Sequence, residues 1–238
     1  MNNIPVNERL IFALDVASPQ LAINWLDRLG EHVKFYKVGL QLFMASHFTI
    51  IDMIIARGYK VMVDLKFFDI PETVGLAVRA LSNRNINFIT VHGNEPILTA
   101  AIKERGTAKI LAVTVLTSFD QTDLVAMGLS GSVDELVYLR AKKALALGCD
   151  GIVASGLEIP RLRHEFGERF LIVTPGIRPG LNTTIDDQKR VVTAHQAIAN
   201  GADYVVVGRP IRDADDPIKV VQTMHNEIAT ALNNSRCK

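Results

Sequence analysis

Eight short runs of apolar and β-branched residues recur along the chain, and segments with helical spacing of apolar residues separate them. Strands that alternate with helices predict parallel pairing through right-handed crossover connections. Eight such units in 238 residues favour a closed (β/α)8 TIM barrel over an open doubly wound sheet, so we expect a single domain over residues 1–238. The predicted strands are Leu10–Val16, Phe35–Gly39, Lys60–Phe67, Phe88–Gly93, Lys109–Thr117, Gly151–Gly156, Phe170–Gly176 and Tyr204–Pro210.

Two of the connections in this pattern are long. One runs from Thr117 to a predicted helix near Val133, and the other spans Ile177–Asp187 and contains Pro179 and Gly180. Long connections in compact domains are often functional loops, so we expect the second to form a mobile lid.

Composition excludes several classes of protein. Hydrophobic residues make up 48% of the chain, charged residues 21%, and the formal net charge is +1, which is ordinary for a soluble globular protein and does not indicate a nucleic-acid partner. Two cysteines without a CxxC pair favour a reducing, cytoplasmic location. No apolar run approaches the ~18 residues of a membrane span, and the first residues lack the pattern of a signal peptide, so we expect neither.

The third predicted strand carries charges where a buried strand is normally apolar. Residues two apart share a face of a strand, so Asp64 and Lys66 point one way while Val61, Val63 and Leu65 point the other. In a barrel the apolar residues would face the helices, and the charged pair would face the barrel axis. Buried charge is costly unless it is paired or used, which indicates chemistry at this position.

Polar residues also lie at the carboxyl ends of the other predicted strands, and Asp69 begins the loop after the third strand. Active sites of these barrels lie at the carboxyl ends of the strands, so we expect the polar residues to meet in one site. A purely structural ion-pair cluster is the alternative, but buried ion pairs rarely stabilise a fold much. The residues are Asp15, Lys37, Asp69, His92, Thr117, Ser118 and Arg209.

A phosphate site is predicted beside the last two strands. Gly208-Arg209-Pro210 follows the eighth strand, where glycine lets oxygens approach the backbone and arginine binds them in a bidentate manner. The carboxyl end of the seventh strand supplies Thr174-Pro175-Gly176-Ile177-Arg178, on the same side of the predicted barrel. Ordinary turn chemistry with a solvated arginine is the alternative.

Other common site motifs are missing from the sequence. We find no HxH, HExxH or clustered Cys/His pattern, no GxGxxG, no P-loop and no nucleophile elbow. No metal is therefore indicated. His92 stays open between a hydrogen-bonded structural histidine and a functional one.

Motifs from the first predicted strand to the last resemble the orotidine 5′-phosphate decarboxylase family. The DxKxxD run at 64–69, combined with a lysine at the end of the second strand, is the most specific of them. The matching segments are Leu-Asp at 14–15, Lys-Val-Gly at 37–39, Asp-Leu-Lys-Phe-Phe-Asp-Ile-Pro at 64–71, Val-Thr-Val-Leu-Thr-Ser at 113–118, Val-Thr-Pro-Gly-Ile-Arg-Pro at 173–179 and Gly-Arg-Pro-Ile at 208–211.

The resemblance implies a reaction and an assembly. It implies conversion of orotidine 5′-phosphate to uridine 5′-phosphate with loss of CO2, in pyrimidine biosynthesis, without cofactor or metal. It also implies a cytoplasmic homodimer with active sites at the subunit interface. By the same resemblance Lys66 donates a proton to C6 of the substrate, and the catalytic residues are Lys66, Asp64, Lys37 and the partner's Asp69.

The resemblance also assigns substrate contacts. Asp15 and Lys37 would bind ribose hydroxyls, Thr117 would lie near the pyrimidine, and Arg178 would lie at the lid. Gln188, Gly208 and Arg209 would hold the phosphate, and Asp69 and Thr73 would reach into the partner's site. The full substrate-binding set is Asp15, Lys37, Asp64, Asp69, Ile70, Thr73, Thr117, Pro175, Arg178, Gln188, Gly208 and Arg209.

Two other functions fit parts of the pattern. A metal-dependent sugar-phosphate decarboxylase, aldolase or epimerase of the same barrel group can share the DxKxxD run, but such relatives carry a carboxylate where this chain has Lys37. A non-catalytic nucleotide-phosphate-binding barrel is the second alternative. The intact set of Lys37, Asp64, Lys66 and Asp69 argues against it.

Overall fold

Eight parallel strands close into a barrel in sequence order, as predicted. The computed structural model describes residues 4–179 and 190–236 of the chain. The strands are β1 Leu10–Ala13, β2 Phe35–Gly39, β3 Lys60–Phe67, β4 Phe88–Val91, β5 Lys109–Val113, β6 Gly151–Val153, β7 Leu171–Thr174 and β8 Tyr204–Val207. The described helices are α1 Pro19–Leu29, α2 Leu40–Ser46, α3 Thr49–Ala56, α4 Pro71–Ser82, α5 Glu95–Glu104, α6 Gln121–Ala126, α7 Val133–Ala146, α8 Ile159–Phe166, α9 Ala194–Ala199, α10 Arg209–Arg212 and α11 Pro217–Arg236.

The alternation along each strand produces two separate apolar clusters. One fills the barrel and the other, which includes Val61 and Val63, packs between the strands and the surrounding helices. Inside the barrel the rings of Phe35, Phe88 and Tyr204 contact one another with centroids 5.1–5.7 Å apart. Each of these aromatic residues begins its strand. They therefore fill the amino-terminal end of the barrel.

Six strands are shorter than the sequence predicts at the carboxyl end, and β7 also starts one residue later than predicted, at Leu171. β5 ends at Val113 rather than Thr117, and β8 ends at Val207 because Arg209 and Pro210 already belong to α10. The apolar pattern overruns the strands because the first residues of the connections stay buried; Leu14 and Val115 are 0% and 4% exposed. β1, β4, β6 and β7 are shortened in the same way.

The connection between Thr117 and Val133 contains a short helix, α6, which sequence analysis did not predict. Asp120 caps it: its carboxylate accepts from the backbone of Asp123, whose side chain accepts from the backbone of Asp120. This capping box was a sequence signal that could have located the helix. The expected lid at Ile177–Asp187 falls largely outside the described residues. No helix in the described ranges is long and apolar enough to cross a membrane.

Candidate active site

A cavity of about 390 Å³ opens at the carboxyl ends of the strands. Its floor is the inward-facing apolar layer of the barrel, which includes Met62, Val113 and Val206. Ten residues expected in the site line its walls: Asp15, Lys37, Asp64, Lys66, Thr117, Ser118, Pro175, Arg178, Gly208 and Arg209. The barrel thus brings together side chains that are up to 194 positions apart in sequence (Asp15 to Arg209).

Four charged side chains form an alternating row on one side of this cavity. Lys37 Nζ lies 3.0 Å from Asp15 Oδ1 and 3.4 Å from Asp64 Oδ2. Asp64 Oδ1 lies 2.9 Å from Lys66 Nζ. The order Asp15, Lys37, Asp64, Lys66 therefore alternates in sign, and we call these four residues the charge row.

Strand register places the charge row. In the parallel sheet Gly39 lies opposite Asp64, so Lys37 of β2 and Asp64 of β3 approach one another at the rim. A Cβ at Gly39 would lie 3.1 Å from Lys37 Nζ and 3.2 Å from Asp15 Oδ1. A glycine at this position leaves the room that the Lys37–Asp15 pair occupies.

The backbone of β3 departs from regular strand geometry at Lys66. Its φ is +48°, and the pairing of β3 with β4 shifts register between Val63 and Phe67. Thr90 of β4, which is fully buried, accepts a hydrogen bond from Lys66 N at 3.0 Å and donates one to Asp64 Oδ1 at 3.0 Å. Asp64 and Lys66 thus share the cavity through a bulge that Thr90 stabilises, rather than through strand alternation alone. Sequence analysis missed Thr90, although a hydroxyl in the apolar run of β4 was a visible signal.

The charge row holds its two central members, Lys37 and Asp64, in their ionised forms. Burial opposes the charge of Lys37, but Asp64 and Asp15 outweigh it and raise the pKa of Lys37. Burial also opposes the charge of Asp64, but Lys37 and Lys66, with the hydroxyl of Thr90, lower the pKa of Asp64. At neutral pH the central pair is therefore a carboxylate beside an ammonium.

The wall of the cavity beside β7 and β8 carries arginines. Arg209 begins α10 directly after Gly208, and Arg178 lies on the connection after β7, where its backbone N–H donates to Val192 O at 3.0 Å. Arg212, which sequence analysis missed, lies one helical turn beyond Arg209. It also lines the cavity, donates to Asp15 O at 3.1 Å and pairs with Asp213.

Four expected site residues do not line this cavity. Asp69, Ile70 and Thr73 are exposed on the connection after β3 and the start of α4. Gln188 lies outside the described residues. His92 is absent from the main cavity's lining too, but lines a neighbouring cavity of about 760 Å³ that shares Lys66 and Leu116 with it.

The environment of His92 favours a neutral ring. Burial lowers the pKa of His92, and the nearby charges of Arg140 and Lys66 lower it further. Its ring packs edge-on against Phe68 with centroids 5.7 Å apart. These contacts suit the structural interpretation of His92 that the sequence left open.

The described residues contain no group of three or more His, Cys, Asp and Glu side chains arranged to hold a metal ion. Asp15 and Asp64 are carboxylates that line the cavity and could in principle share a cation. The ammonium of Lys37 already lies between them, where it occupies the position of a bridging cation.

Comparison with known proteins gives consistent matches over almost the whole chain. Residues 8–224 match the model of the orotidine 5′-phosphate decarboxylase / HUMPS family. The chain is 56% identical to the orotidine 5′-phosphate decarboxylase of Methylococcus capsulatus, over 94% of this chain and 93% of that protein. It is 46% identical to the enzyme of the same name from Xanthomonas campestris, over 98% of both chains. The crystal structure of orotidine 5′-phosphate decarboxylase from Lactobacillus acidophilus superposes with a TM-score of 0.82 at 35% identity, over 93% of this chain and 99% of that one.

Proposed function

The chain belongs to the orotidine 5′-phosphate decarboxylase / HUMPS family, and from this we propose that it decarboxylates orotidine 5′-phosphate to uridine 5′-phosphate and CO2. The observation that carries the proposal is the charge row beside an arginine-lined wall in one cavity. One wall suits a phosphate, and the other suits a reaction that develops negative charge on carbon. The chain acts as one domain in pyrimidine biosynthesis in the cytoplasm.

The substrate spans the cavity from the arginines to the charge row. Arg209 and the backbone at Gly208 bind the phosphate, since a guanidinium and a glycine backbone at a helix start both suit a dianion. Asp15 and Lys37 bind the ribose hydroxyls between the two ends. Thr117, on the connection after β5, lies beside the pyrimidine.

Lys66 carries the chemical step. The bond between C6 and the carboxylate breaks, the electron pair stays on C6, and CO2 leaves. A proton from Lys66 Nζ then forms the new C6–H bond. The reaction offers no delocalisation for the electron pair, so a fixed ammonium near C6 stabilises the developing charge before donating its proton.

Asp64 keeps Lys66 in place. Its carboxylate is 2.9 Å from the ammonium and is itself fixed by Lys37 and Thr90. The ammonium of Lys66 and the carboxylate of Asp64 attract one another, which holds the proton donor at the cavity wall. Asp64 also faces the substrate carboxylate with like charge, which we take as the smaller effect.

A second copy of the chain completes the site. Asp69 is exposed between Phe68 and Ile70, whose side chains are 70% and 65% exposed. A carboxylate flanked by exposed apolar side chains suits a contact between subunits better than contact with water. The partner's Asp69 and the partner's Thr73 then reach the cavity and extend the charge row beyond Lys66.

The experiment follows the fall in ultraviolet absorbance when the purified chain meets orotidine 5′-phosphate. We expect turnover by the wild type and none by Lys66→Ala with its fold intact by circular dichroism. An active Lys66→Ala variant would remove the proton-donor role, and an inactive wild type would remove the proposed function.

The same assay tests the shared site by mixing two inactive variants, Lys66→Ala and Asp69→Asn. Mixed dimers have one site that carries both changes and one that carries neither. We expect about a quarter of wild-type activity after equilibration, from random association into dimers. Persistent inactivity of the mixture, at concentrations where dimers form, would mean that Asp69 acts within its own chain.

A further inference from the structure

One buried guanidinium is bonded to the backbone immediately before Thr117. Arg190 donates through Nη2 to Leu116 O at 2.8 Å and approaches Val115 O at 3.5 Å. Through Nη1 it pairs with Glu158, and its side chain is only 12% exposed. Arg190 does not line the cavity, so its contacts act on the wall from behind.

The carbonyls that Arg190 meets have left the barrel sheet. β5 ends at Val113, and Val115 and Leu116 continue towards the cavity before Thr117 and Ser118 line it. The carbonyl of Leu116 also accepts from Phe119 N at 2.9 Å, so Arg190 adds a side-chain donor to a backbone turn. A planar guanidinium can bond adjacent carbonyls at once, which fixes the peptide plane that leads into Thr117.

The pairing with Glu158 orients the guanidinium more than it stabilises the fold. Among the described residues, Arg190 Nε and Glu158 Oε2 have no hydrogen-bond partner. Burial raises the pKa of Glu158 despite the attraction of Arg190. Buried ion pairs with unsatisfied atoms add little net stability, so a role in position explains the pair better.

Val192, two residues after Arg190, bonds the same segment to the connection after β7, which also lines the cavity. Its N–H donates to Gly176 O at 3.2 Å, and its carbonyl accepts from Arg178 N at 3.0 Å. Its side chain packs on Gly156, where a Cβ would come within 2.3 Å of it. The segment that carries Arg190 is therefore anchored to the connections after β6 and β7, and Arg190 extends that anchorage to the connection after β5.

We propose that Arg190 is a positioning residue that holds the Leu116–Thr117 peptide, and with it Thr117, against the pyrimidine end of the bound nucleotide. The proposal rests on the proposed function, because Thr117 is placed beside the pyrimidine there. Removing the guanidinium frees this wall while leaving the charge row and Arg209 in place. A displacement of about 1 Å at such a wall costs roughly 10- to 100-fold in kcat/KM.

Arg163 provides a matched control at the opposite end of the barrel. It also pairs with a buried carboxylate, Asp203, at 2.8 Å, and donates to Phe170 O at 3.0 Å and Gly201 O at 2.9 Å. Its side chain is 14% exposed. Arg163→Met and Arg190→Met thus remove similar contacts, but only the second touches the cavity wall.

The experiment compares both variants for melting temperature, steady-state kinetics with orotidine 5′-phosphate, and calorimetric affinity for uridine 5′-phosphate. We expect both to melt earlier, but only Arg190→Met to raise KM and weaken uridine 5′-phosphate binding, by about tenfold or more. Equal kinetic and binding constants for the two variants would overturn the proposal. An inactive wild type would instead count against the proposed function.

Two further variants separate positioning from general destabilisation. Arg190→Lys keeps a charge beside Glu158 but cannot also bond both carbonyls, so we expect it to fold and still raise KM; a wild-type KM would contradict the role. In a double-mutant cycle with Thr117→Val, the effect of Arg190→Met on KM is expected to shrink at least threefold, because the group that it positions is already lost. Fully additive effects would show that Arg190 does not act through Thr117.

Discussion

Replacing Asp64 by asparagine tests whether the members of the charge row depend on one another. The amide keeps the shape of the side chain, and its oxygen can still accept the hydrogen bond from Thr90. What disappears is the negative charge between Lys37 and Lys66. Lys37, whose side chain is 10% exposed, then keeps only Asp15, whose side chain is 46% exposed.

The distances give the size of the effect. At an effective dielectric constant of about 20, charges at these separations attract by about 5–6 kcal/mol per pair. Desolvation of the ions offsets most of this attraction in the native protein. The mutation, however, leaves Lys37 buried without Asp64, the more buried of its two carboxylate partners. Breaking a buried pair from one side typically costs about 3–5 kcal/mol, and we expect Asp64→Asn to lower the free energy of unfolding by that amount at pH 7.

The assay is urea unfolding together with the absorbance assay for turnover, on Asp64→Asn and on the double variant with Lys37→Met. The double variant no longer buries an unpaired ammonium, so we expect it to regain at least half of the lost stability while both variants stay inactive. A single variant within about 1 kcal/mol of the wild type would refute the electrostatic reasoning. So would a double variant less stable than the single one.

The pH dependence of stability tests whether the charge of Asp64 stabilises the fold. The pKa of Asp64 is lowered in the folded state, so its contribution is complete above the ordinary carboxyl pKa of about 4 and is lost as pH falls through the lower folded value. The wild type should therefore lose more stability than Asp64→Asn below about pH 4. Parallel acid profiles of the two proteins would contradict the assignment. At the other extreme, the raised pKa of Lys37 keeps its contribution complete below about pH 10.

Three other predictions follow from the cavity. Arg209→Ala should raise KM for orotidine 5′-phosphate roughly 10- to 100-fold, as expected for lost charge-assisted hydrogen bonds. Arg169→Ala, which removes an exposed arginine, is the control and should leave KM unchanged. An unchanged kcat/KM for Arg209→Ala would remove the phosphate assignment. Gly39→Ala should lower kcat/KM about tenfold or more, because its Cβ would crowd Lys37 and Asp15. Gly75→Ala is the control, since its Cβ would meet nothing closer than 3.6 Å. Equal kcat/KM values for the two variants would mean that the charge row tolerates the added methyl group. Dialysis against a chelator should leave the rate unchanged, and a rate restored only by Mg²⁺ would favour the metal-dependent alternative.

The barrel could be predicted because its signal is periodic and repeated: eight apolar runs separated by helical segments admit few other closures. The ends of the strands could not, because residues such as Leu14 and Val115 are as buried outside the sheet as inside it. Burial depends on neighbours from other strands, and a single sequence does not display them.

Part of the candidate site could likewise be predicted from the sequence, and part could not. Asp64 and Lys66 could be assigned to the barrel axis from their spacing, but the bulge at Lys66 and the hydrogen bonds of Thr90 depend on β4. Arg190 and Arg212 were not predicted, because each acts on backbone carbonyls of distant segments. Every residue has a backbone carbonyl, so the sequence does not indicate which residue accepts a hydrogen bond from such a side chain.

The charge row also explains why Lys66, rather than Lys37, is the proposed proton donor. Lys37 lies between two carboxylates at 3.0 and 3.4 Å, which raise its pKa above the ordinary lysine value and make it a weaker acid than an ordinary lysine. Lys66 is bonded to a carboxylate at 2.9 Å, lines the cavity, and has a side chain that is 34% exposed, against 10% for Lys37. A donor must reach the substrate and be able to lose its proton. Both lysines line the cavity, but Lys66, at the end of the row, is the more exposed of the two. Lys37 then fixes Asp64, Asp64 fixes Lys66, and the ammonium is already in position when charge develops on C6.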